Sequence, residues 1–466
     1  MIIKYKYLSQ QLPSALISSL QAAKGFDEAA FVRTHGSGEQ VVSIRVNPAK
    51  CSPAQLEMEL AGKVPWSSNG YYLPLRPSFT LDPMFHAGAY YVQEASSMFI
   101  EEAVRQSCVV SEPLKALDLC AAPGGKSTLL QSVLSAGSLL VSNEVIKTRA
   151  TILAENIAKW GAANVVVTNN DPKDFQRLPG FFDLIVVDAP CSGSGLFRKD
   201  PSAMEEWSLN NVELCSQRQQ RILADVLPSL KEGGVLIYST CSYSESEDEE
   251  IADWLLSEEG LQMENIPLQI KPEWNIVASA SKNKQAYGYR FYPDKVKGEG
   301  FFIAVFRKQG IAMDSKQFSG KTKPQLPTKG EIAVVQKYLS NAEEFSFLKL
   351  KEEILVFPAR QFENLVLLQS TLYLKKAGVN AGTVIRDELV PDHELVMSTI
   401  MSDNIQKVEV DKATALDYLR RKDISIDAAK KGWAILSYHN MNIGLAKILP
   451  NRVNNYYPRE WRIINK

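Results

Sequence analysis

Between residues 110 and 310, short apolar runs alternate with segments in which apolar residues recur at helical spacing. A buried strand of a parallel sheet gives a continuous apolar run, whereas an amphipathic helix repeats every 3.6 residues. The pattern predicts strands at Leu114–Leu119, Leu139–Ser142, Asn164–Thr168, Leu184–Asp188 and Val235–Ser239. It also predicts a helix from Lys126 and a helix over Arg218–Leu230 that ends at Gly233-Gly234. A last strand is predicted over Gly300–Phe306, and it could run antiparallel to the others. Strand, helix and strand in this order indicate a doubly wound α/β sheet.

The flanking regions are patterned differently. They predict a strand at Val41–Val46, a helix at Cys51–Leu60, a helix at Ile332–Leu339, and strands at Ile354–Pro358 and Gly432–Tyr438. A stretch rich in Pro, Gly and Lys around residues 319–330 is typical of a linker. We therefore expect a module at 1–108, a catalytic domain at 109–310, a linker at 311–330, and C-terminal domains at 331–400 and 401–466.

Composition narrows the class of protein. The 466 residues are 45% hydrophobic and 23% charged, with a formal net charge of -1, as in ordinary globular proteins. No apolar run is long enough for a membrane helix, and the first ten residues lack the core of a signal peptide, so we expect a cytoplasmic protein. Six cysteines form no CxxC pair and only four histidines are present, which argues against a metal site. The acidic run at Glu245–Glu250 is interpreted as the solvated start of a helix.

The first predicted strand leads into the sequence Asp118-Leu-Cys-Ala-Ala-Pro-Gly-Gly-Lys126. Glycines at such a turn let the backbone approach a ligand and expose N–H groups at a helix start. Glu144 follows about 20 residues later, at the end of the second strand, where a carboxylate can accept the hydroxyls of a ribose. Asp171 lies after the third strand and could meet an adenine amine. An unphosphorylated ribose and a positively charged sulfonium both suit these acids.

Gly125-Lys126-Ser127 also resembles the end of a phosphate-binding loop, so an NTPase is an alternative. That loop requires a glycine where this chain has Cys120. Pro123 would also remove an N–H group from the phosphate site. The NTPase interpretation is therefore disfavoured.

Two cysteines follow adjacent predicted strands, in Asp188-Ala-Pro-Cys191 and in Ser239-Thr-Cys241. In a doubly wound sheet both would lie at the same edge as the glycine loop. Methylation of carbon 5 of cytosine needs a thiolate that adds to carbon 6, an acid near ring nitrogen 3, and a base for the final elimination. Cys241, Asp188 and Cys191 supply these groups, and Lys126 is a possible source of positive potential for the thiolate.

These three motifs together resemble the RNA cytosine-5 methyltransferases of the Nol/Nop/Sun family. Upstream and intervening segments fit the same family: Ser43–Pro48, Gly88–Glu94 with Gln93, Ser96 and Ser97 bordering the cofactor pocket, Asn143-Glu144 and Phe197–Pro201. The resemblance implies a Rossmann-like class I methyltransferase core with a seven-stranded, mostly parallel sheet, and S-adenosyl-L-methionine as cofactor. It implies that Cys241 is the nucleophile and that Cys191 assists product release. DNA cytosine methyltransferases attack with a Pro-Cys cysteine, which leaves Cys191 as a less favoured nucleophile.

The family's cofactor contacts correspond here to Cys120, Ala121, Ala122, Pro123, Gly124, Gly125, Lys126, Glu144, Asp171 and Asp188. The catalytic set is Cys241, Cys191, Asp188 and Lys126, with no metal.

Beyond the linker, Val390–Met397 resembles the bacterial members that act on small-subunit ribosomal RNA, and the final segment resembles a PUA-type β-barrel. The expected partner is RNA, most specifically 16S ribosomal RNA, bound by a monomer. Tyr456, Tyr457 and Trp461 either stack on RNA bases or fill a small core. A non-catalytic RNA-binding or ribosome-assembly factor is the second hypothesis, at a disadvantage because both cysteines and the pocket acids are present.

Overall fold

A computed structural model describes residues 12–258, 260–310, 324–426 and 430–464 of the chain. The predicted linker therefore lies mostly outside the described residues, as does the N-terminal segment tested for a signal peptide. Residues 12–107 form a four-stranded sheet in the order β2-β3-β1-β4 with short helices around it. Its elements, with the helix that leads into the next domain, are α1 Ser14–Leu20, α2 Glu28–Gly36, β1 Val42–Val46, β2 Gly62–Lys63, β3 Gly70–Leu73, α3 Pro83–His86, β4 Tyr90–Val92 and α4 Ile100–Ser107.

The middle of the chain forms the predicted α/β domain. Its elements are β5 Lys115–Asp118, α5 Gly125–Val133, β6 Leu139–Asn143, α6 Lys147–Trp160, β7 Val165–Thr168, β8 Phe182–Asp188, α7 Ala203–Glu206, α8 Leu209–Val226, β9 Leu230–Thr240, α9 Glu249–Ser257, β10 Met263–Asn265, β11 Val277–Ala280, β12 Tyr287–Phe291 and β13 Phe301–Lys308. Alternate residues of β8 enter separate cores: Leu184 and Val186 pack on one face of the sheet, and Ile185 and Val187 on the other. Both faces are buried, which explains the continuous apolar run.

The C-terminal region contains two further four-stranded sheets, β14-β15-β17-β18 and β19-β20-β21-β22. Their elements and associated helices are α10 Lys329–Gln336, β14 Phe345–Leu350, β15 Glu353–Pro358, α11 Phe362–Thr371, β16 Leu374–Ala377, β17 Val379–Ile385, β18 Glu388–Pro391, α12 His393–Met397, β19 Gln406–Glu409, α13 Lys412–Leu419, β20 Gly432–Tyr438, β21 Met441–Leu449 and β22 Arg452–Asn455. The described part of the predicted linker ends in α10, which Thr328 and Glu331 begin with a capping box.

Among the described residues the central sheet contains ten strands, three more than the seven expected. Strands β7-β6-β5-β8-β9 are parallel, and β13 runs antiparallel to β9 and β12, which confirms the doubly wound core and the antiparallel last strand. The sequence pattern did not locate β10, β11, β12 or β16, and β16 comes from the C-terminal region to pair with β7. An edge strand has unpaired N–H and C=O groups, so it can accept a distant segment that no local pattern predicts.

One predicted helix and one predicted helix end are wrong. Residues 51–60 form only a short 3₁₀ turn at Pro53–Gln55 instead of a helix. Leu56, Met58 and Leu60 alternate with a period of two and contact the core shared with the C-terminal sheet, which an extended chain allows. The helix predicted to reach Leu230 ends at Val226, before Pro228.

Gly233 and Gly234 belong to β9 and do not close that helix. Pro228 has no N–H to continue the helix, and the two glycines lie beside a register shift between β8 and β9. Strand β9 therefore begins five residues before the predicted Val235.

The last sheet packs against the N-terminal module through a shared apolar core. Ile44 of β1 lies in one cluster with Tyr418, Leu436 and Tyr457. Tyr457 is fully buried and is a core residue, whereas Tyr456 is 41% exposed and packs edge-on against Trp433. Among the described residues, no helix has both the length and the apolar character needed to span a bilayer.

Candidate active site

The carboxyl ends of the parallel strands form the candidate site. In the order of the sheet, Asp171 follows β7, Glu144 follows β6 and the glycine loop follows β5. Asp188 is the last residue of β8, Cys191 lies in the loop after it, and Cys241 follows β9. A cavity of about 280 Å³ lies at the centre of this edge. It is lined by Cys120–Pro123, Gly125, Lys126, Asp188 and Cys241, with residues of the N-terminal module and of the β12–β13 connection.

The glycine loop turns tightly into α5. Gly124 is the N-cap residue with φ 118°, a left-handed conformation that favours glycine. A Cβ atom on Gly125 would lie 3.3 Å from Cε1 of Tyr91. Tyr91 also lines the cavity, so the absence of a side chain at Gly125 keeps that wall open.

Lys126 points toward a carboxylate. Its Nζ lies 2.6 Å from Oδ2 of Asp188, while Ser239 Oγ donates to Oδ1 of the same carboxylate at 2.9 Å. Burial lowers the pKa of Lys126, but the attraction of Asp188 outweighs it, so the pKa is raised overall. Lys126 is therefore a permanent cation in the cavity that also contains Cys241.

Asp118, at the end of β5, is a buried acid that the sequence analysis did not assign to the site. Its Oδ2 accepts a hydrogen bond of 2.7 Å from Ser127, and its Oδ1 has no hydrogen-bond partner among the residues that the structure describes. Burial raises the pKa of Asp118 to about 7. Its position directly before the glycine loop was the available signal, because a carboxylate there is buried only at a cost.

The two acids expected to bind a nucleoside lie on neighbouring loops, outside the lining of the cavity. Glu144 is buried; its Oε1 accepts the N–H of Ile146 at 2.9 Å and its Oε2 lies 3.3 Å from Arg149. Asp171 accepts the N–H of Lys173 at 3.2 Å and begins a 3₁₀ helix. The strands β6 and β7 that precede these acids lie side by side next to β5 and its glycine loop. A nucleoside extended along the sheet edge would therefore meet the glycine loop, Glu144 and Asp171 in turn.

The two cysteine sulfurs lie 3.0 Å apart as free thiols. The hydrogen bond to Cys241 and burial raise the pKa of Cys191 well above its ordinary value. Burial therefore favours the protonated form of Cys191, and either thiol can donate the hydrogen bond between the two sulfurs. A negative charge on the neighbouring sulfur would further disfavour ionisation of Cys191, because two adjacent negative sulfurs repel each other.

Close backbone contacts hold the Cys241 loop against the Cys191 loop. Gly195 N–H donates to the carbonyl of Cys241 at 2.8 Å, and Gly300 N–H donates to the carbonyl of Gly195 at 3.1 Å. A Cβ on Gly195 would lie 2.6 Å from the oxygen of Gly300 and 2.7 Å from that of Cys241. Only glycine fits between these two segments.

The lead-in residues and the acidic run before α9 differ in part from the expectation. Of the lead-in residues expected at the pocket, Gln93 and Ser97 line the cavity, whereas Ser96 donates to the carbonyl of Glu299 and does not. The acidic run at 245–250 is not a solvated helix start, because Glu247 and Asp248 are fully buried. Charged residues in sequence do not reveal such burial, since it depends on partners contributed by other loops.

The fold and the site define a class I methyltransferase with a Rossmann-like sheet. Residues 110–307 match the protein family described as "16S rRNA methyltransferase RsmB/F". Residues 12–95 match the family of the N-terminal domain of 16S rRNA methyltransferase RsmF, and residues 405–463 match that of the methyltransferase RsmF PUA domain. Ribosomal RNA small subunit methyltransferase F of Aliivibrio salmonicida is 31% identical over 438 residues, covering 90% of each chain. The Shewanella woodyi protein of the same name is 30% identical over 442 residues, with 90% of each chain covered.

Solved structures agree on the fold. A methyltransferase homolog protein from Pyrococcus horikoshii has a TM-score of 0.51 at 27% identity, covering 64% of this chain and all of that one. NSun6 from P. horikoshii with SFG has a TM-score of 0.53 at 22% identity, covering 64% and 99%. The chain belongs to the ribosomal RNA small subunit methyltransferase F family.

The protein is an S-adenosylmethionine-dependent methyltransferase, and its residues fit that cofactor. The glycine loop leaves the cavity wall open, and carboxylates follow the adjacent strands in the required order. Within the described part of the chain, nothing forms a hydrogen bond with the buried Oδ1 of Asp118. Acidic groups suit a cofactor that carries a positive sulfonium. The lysine that would meet phosphates in an NTPase is paired with Asp188 instead.

Proposed function

We propose that the protein methylates carbon 5 of a cytosine in small-subunit ribosomal RNA, with Cys241 as the covalent nucleophile and Cys191 assisting release. The observation that carries this proposal is the 3.0 Å contact between the two thiols at the ends of adjacent strands, beside the cavity. Chemistry at a base needs access to its ring, so the cytosine must leave its stack before it meets Cys241.

In the first step the sulfur of Cys241, as thiolate, forms a bond to carbon 6 of the ring. The electron pair of the carbon 5–carbon 6 bond moves onto carbon 5 and is delocalised over ring nitrogen 3 and the carbonyl oxygen. Asp188 lies beside nitrogen 3 in this proposal, accepting the neighbouring amine protons, and keeps the Lys126 ammonium in the cavity to offset the negative charge. S-adenosylmethionine supplies the methyl group that carbon 5 then takes up.

Release requires loss of the proton on carbon 5. While Cys241 is a thiolate, its hydrogen bond and its charge raise the pKa of Cys191. Once Cys241 is a neutral thioether, that charge is gone and the pKa of Cys191 falls, so its proton can leave to solvent. The Cys191 thiolate then accepts the carbon 5 proton, the carbon 5–carbon 6 double bond reforms, and the bond from carbon 6 to the Cys241 sulfur breaks.

The cofactor-binding set Cys120–Lys126, Glu144, Asp171 and Asp188 is part of the same proposal. The cavity lining and the order of the loops support it. We also propose the division of the chain at residues 108, 310, 330 and 400, with RNA contacts from the N-terminal module and from 401–466. The names of the matched relatives support small-subunit ribosomal RNA as the substrate. Monomeric state and cytoplasmic location are predictions.

Removing one thiol at a time tests the proposal. We expect Cys241→Ala to abolish methyl transfer from labelled cofactor to small-subunit ribosomal RNA while cofactor binding by calorimetry is retained. Cys191→Ala should accumulate a protein–RNA adduct that survives denaturing electrophoresis. Cys51→Ala removes a buried thiol of the N-terminal module and is the matched control, with activity expected within about twofold of the parent. Normal turnover by Cys241→Ala would refute the assignment, and bisulfite mapping of the product would identify the methylated base.

A further inference from the structure

The acidic turn that precedes α9 lies beneath both cysteine loops. Glu247 ends the 3₁₀ turn Glu245–Glu247 and is fully buried. None of the ion pairs among the described residues involves Glu247, so its charge is balanced by hydrogen-bond donors alone. A buried carboxylate without a cation is costly unless donors surround it, and its retention there calls for a specific role.

The donors come from the residues that directly follow the two cysteines. Oε1 of Glu247 accepts the N–H of Ser192 at 2.8 Å, and Oε2 accepts the hydroxyls of Ser192 and Ser242, both at 2.6 Å. Ser192 is bonded to Cys191, and Ser242 is bonded to Cys241. One carboxylate therefore connects the two loops whose sulfurs lie 3.0 Å apart.

The carboxylate itself is held in place from its other side. Gln219 of α8 donates to Oε1 at 3.2 Å and also to the carbonyl of Pro190 at 3.0 Å. The hydroxyl of Tyr238 lies within hydrogen-bond distance of the carbonyl of Glu247, at 2.6 Å, and of Gln219. Glu247 thus has little freedom to move, and it transmits this rigidity to both serines.

We propose that Glu247 is a positioning residue that sets the separation of the two thiols, and that it is needed both for addition of Cys241 and for release through Cys191. This inference rests on the proposed roles of the two cysteines. Glu247 does not line the cavity, so it acts through the loops and touches neither cofactor nor base. A shift of about 1 Å in a reacting group can reduce a rate about 100-fold, which is the scale of effect at stake.

Alanine and glutamine at this position separate positioning from charge. Glu247→Ala leaves the donors of both loops unpaired, and we expect kcat to fall about 100-fold with the cofactor dissociation constant unchanged. Glutamine keeps one oxygen for the Ser192 N–H, and its amide can donate to the serine hydroxyls after these rotate. Glu247→Gln should therefore keep its activity within about tenfold of the parent. Equal loss in both variants would overturn the inference.

A second buried carboxylate provides the matched control. Glu101 of α4 also accepts a serine hydroxyl and a backbone N–H, from Ser67 at 2.9 Å and Ser68 at 3.1 Å, but it lies away from the cysteine loops. Glu101→Ala should lower the melting temperature by an amount comparable to Glu247→Ala and leave kcat within about threefold. If Glu101→Ala loses as much kcat as Glu247→Ala, general destabilisation explains the effect and the inference fails.

The two serines allow each half of the reaction to be tested in a protein that keeps Glu247. RNA containing 5-fluorocytosine adds the thiolate and takes up the methyl group but then has no carbon 5 proton to lose, so its rate of trapping reports addition and methyl transfer without release. Ser242→Ala should slow this trapping, whereas Ser192→Ala should trap normally and accumulate adduct on ordinary RNA. If neither serine variant changes its own half-reaction, Glu247 does not act through these loops.

Including Cys241→Ala in the same series keeps the two proposals apart. If Cys241→Ala forms an adduct or turns over, the proposed function is wrong. If Cys241→Ala is inactive but Glu247→Ala trails the parent by less than about threefold in both trapping and turnover, the proposed function stands and the positioning role is refuted.

Discussion

Replacing Gly195 by alanine should disable the enzyme through a displacement of less than 1 Å. The new Cβ would lie 2.6 Å and 2.7 Å from the carbonyl oxygens of Gly300 and Cys241, whereas ordinary contact begins at 3.4 Å. The two segments must therefore separate by about 0.7 to 0.8 Å at each contact, and backbone atoms cannot rotate away as a flexible side chain would. We expect a loss of about 1–3 kcal/mol in the free energy of unfolding, as for an overpacked core. Because Cys241 moves with its carbonyl, kcat should fall about 100-fold.

The assay is methyl transfer from labelled S-adenosylmethionine to small-subunit ribosomal RNA, with cofactor affinity by calorimetry and unfolding by circular dichroism. Gly193→Ala is the matched control, since its φ of 77° strains an alanine backbone while its Cβ would meet nothing within 4 Å. Gly193→Ala should therefore lose about 1–2 kcal/mol of stability and little activity. If Gly195→Ala keeps more than a third of the parental kcat, the cysteine loop tolerates displacement and the geometric reasoning is refuted.

Three further predictions concern a buried acid, a buried arginine and the last sheet. Burial raises the pKa of Asp118 to about 7, so the folded state keeps a proton that the unfolded state loses near pH 3.8, and stability falls as the pH rises between these values. Asp118→Asn should raise the free energy of unfolding at pH 8 by up to about 4 kcal/mol, with a higher melting temperature, and should hardly change either at pH 4. An equal shift in melting temperature at both pH values would contradict this prediction. Arg45→Met removes buried hydrogen bonds to Gln93, Thr128 and the carbonyl of Gly125. It should weaken cofactor binding measured by calorimetry and lower the free energy of unfolding by about 1–3 kcal/mol for each acceptor left unpaired. Unchanged cofactor affinity would exclude a role for Arg45 in shaping the glycine loop. Deleting residues 405–466 exposes the apolar face around Ile44 and should increase dye binding to apolar surface, and an unchanged dye signal would show that this face is covered in another way.

Much of the central domain follows from local pattern. Parallel strands buried on both faces must be apolar throughout, so β5, β6, β7 and β8 could be predicted within about two residues. The ends of β8 and β9 are then expected side by side, which predicts that Cys191 and Cys241 lie close together. The same reasoning failed at Cys51–Leu60, where an extended segment with apolar residues at alternate positions was interpreted as a helix.

Contacts between distant segments account for what the sequence did not reveal. Strand β16 joins the sheet because β7 has a free edge, and its own residues do not indicate that partner. The acidic residues before α9 have the composition of an exposed helix start, yet Glu247 is buried because the two cysteine loops and helix α8 donate hydrogen bonds to it.

The sequence by itself determined the order of strands and helices along the chain and the type of cofactor loop, because each depends on residues close together in the chain. It also indicated that the two thiols lie at one edge of the sheet, because each follows a predicted strand. Only the tertiary structure decided that the sulfurs lie 3.0 Å apart, that Lys126 is paired with Asp188, and that Glu247 connects the cysteine loops. These distances depend on how separate elements pack, and a change of 1 Å in that packing alters the chemistry without altering any local pattern.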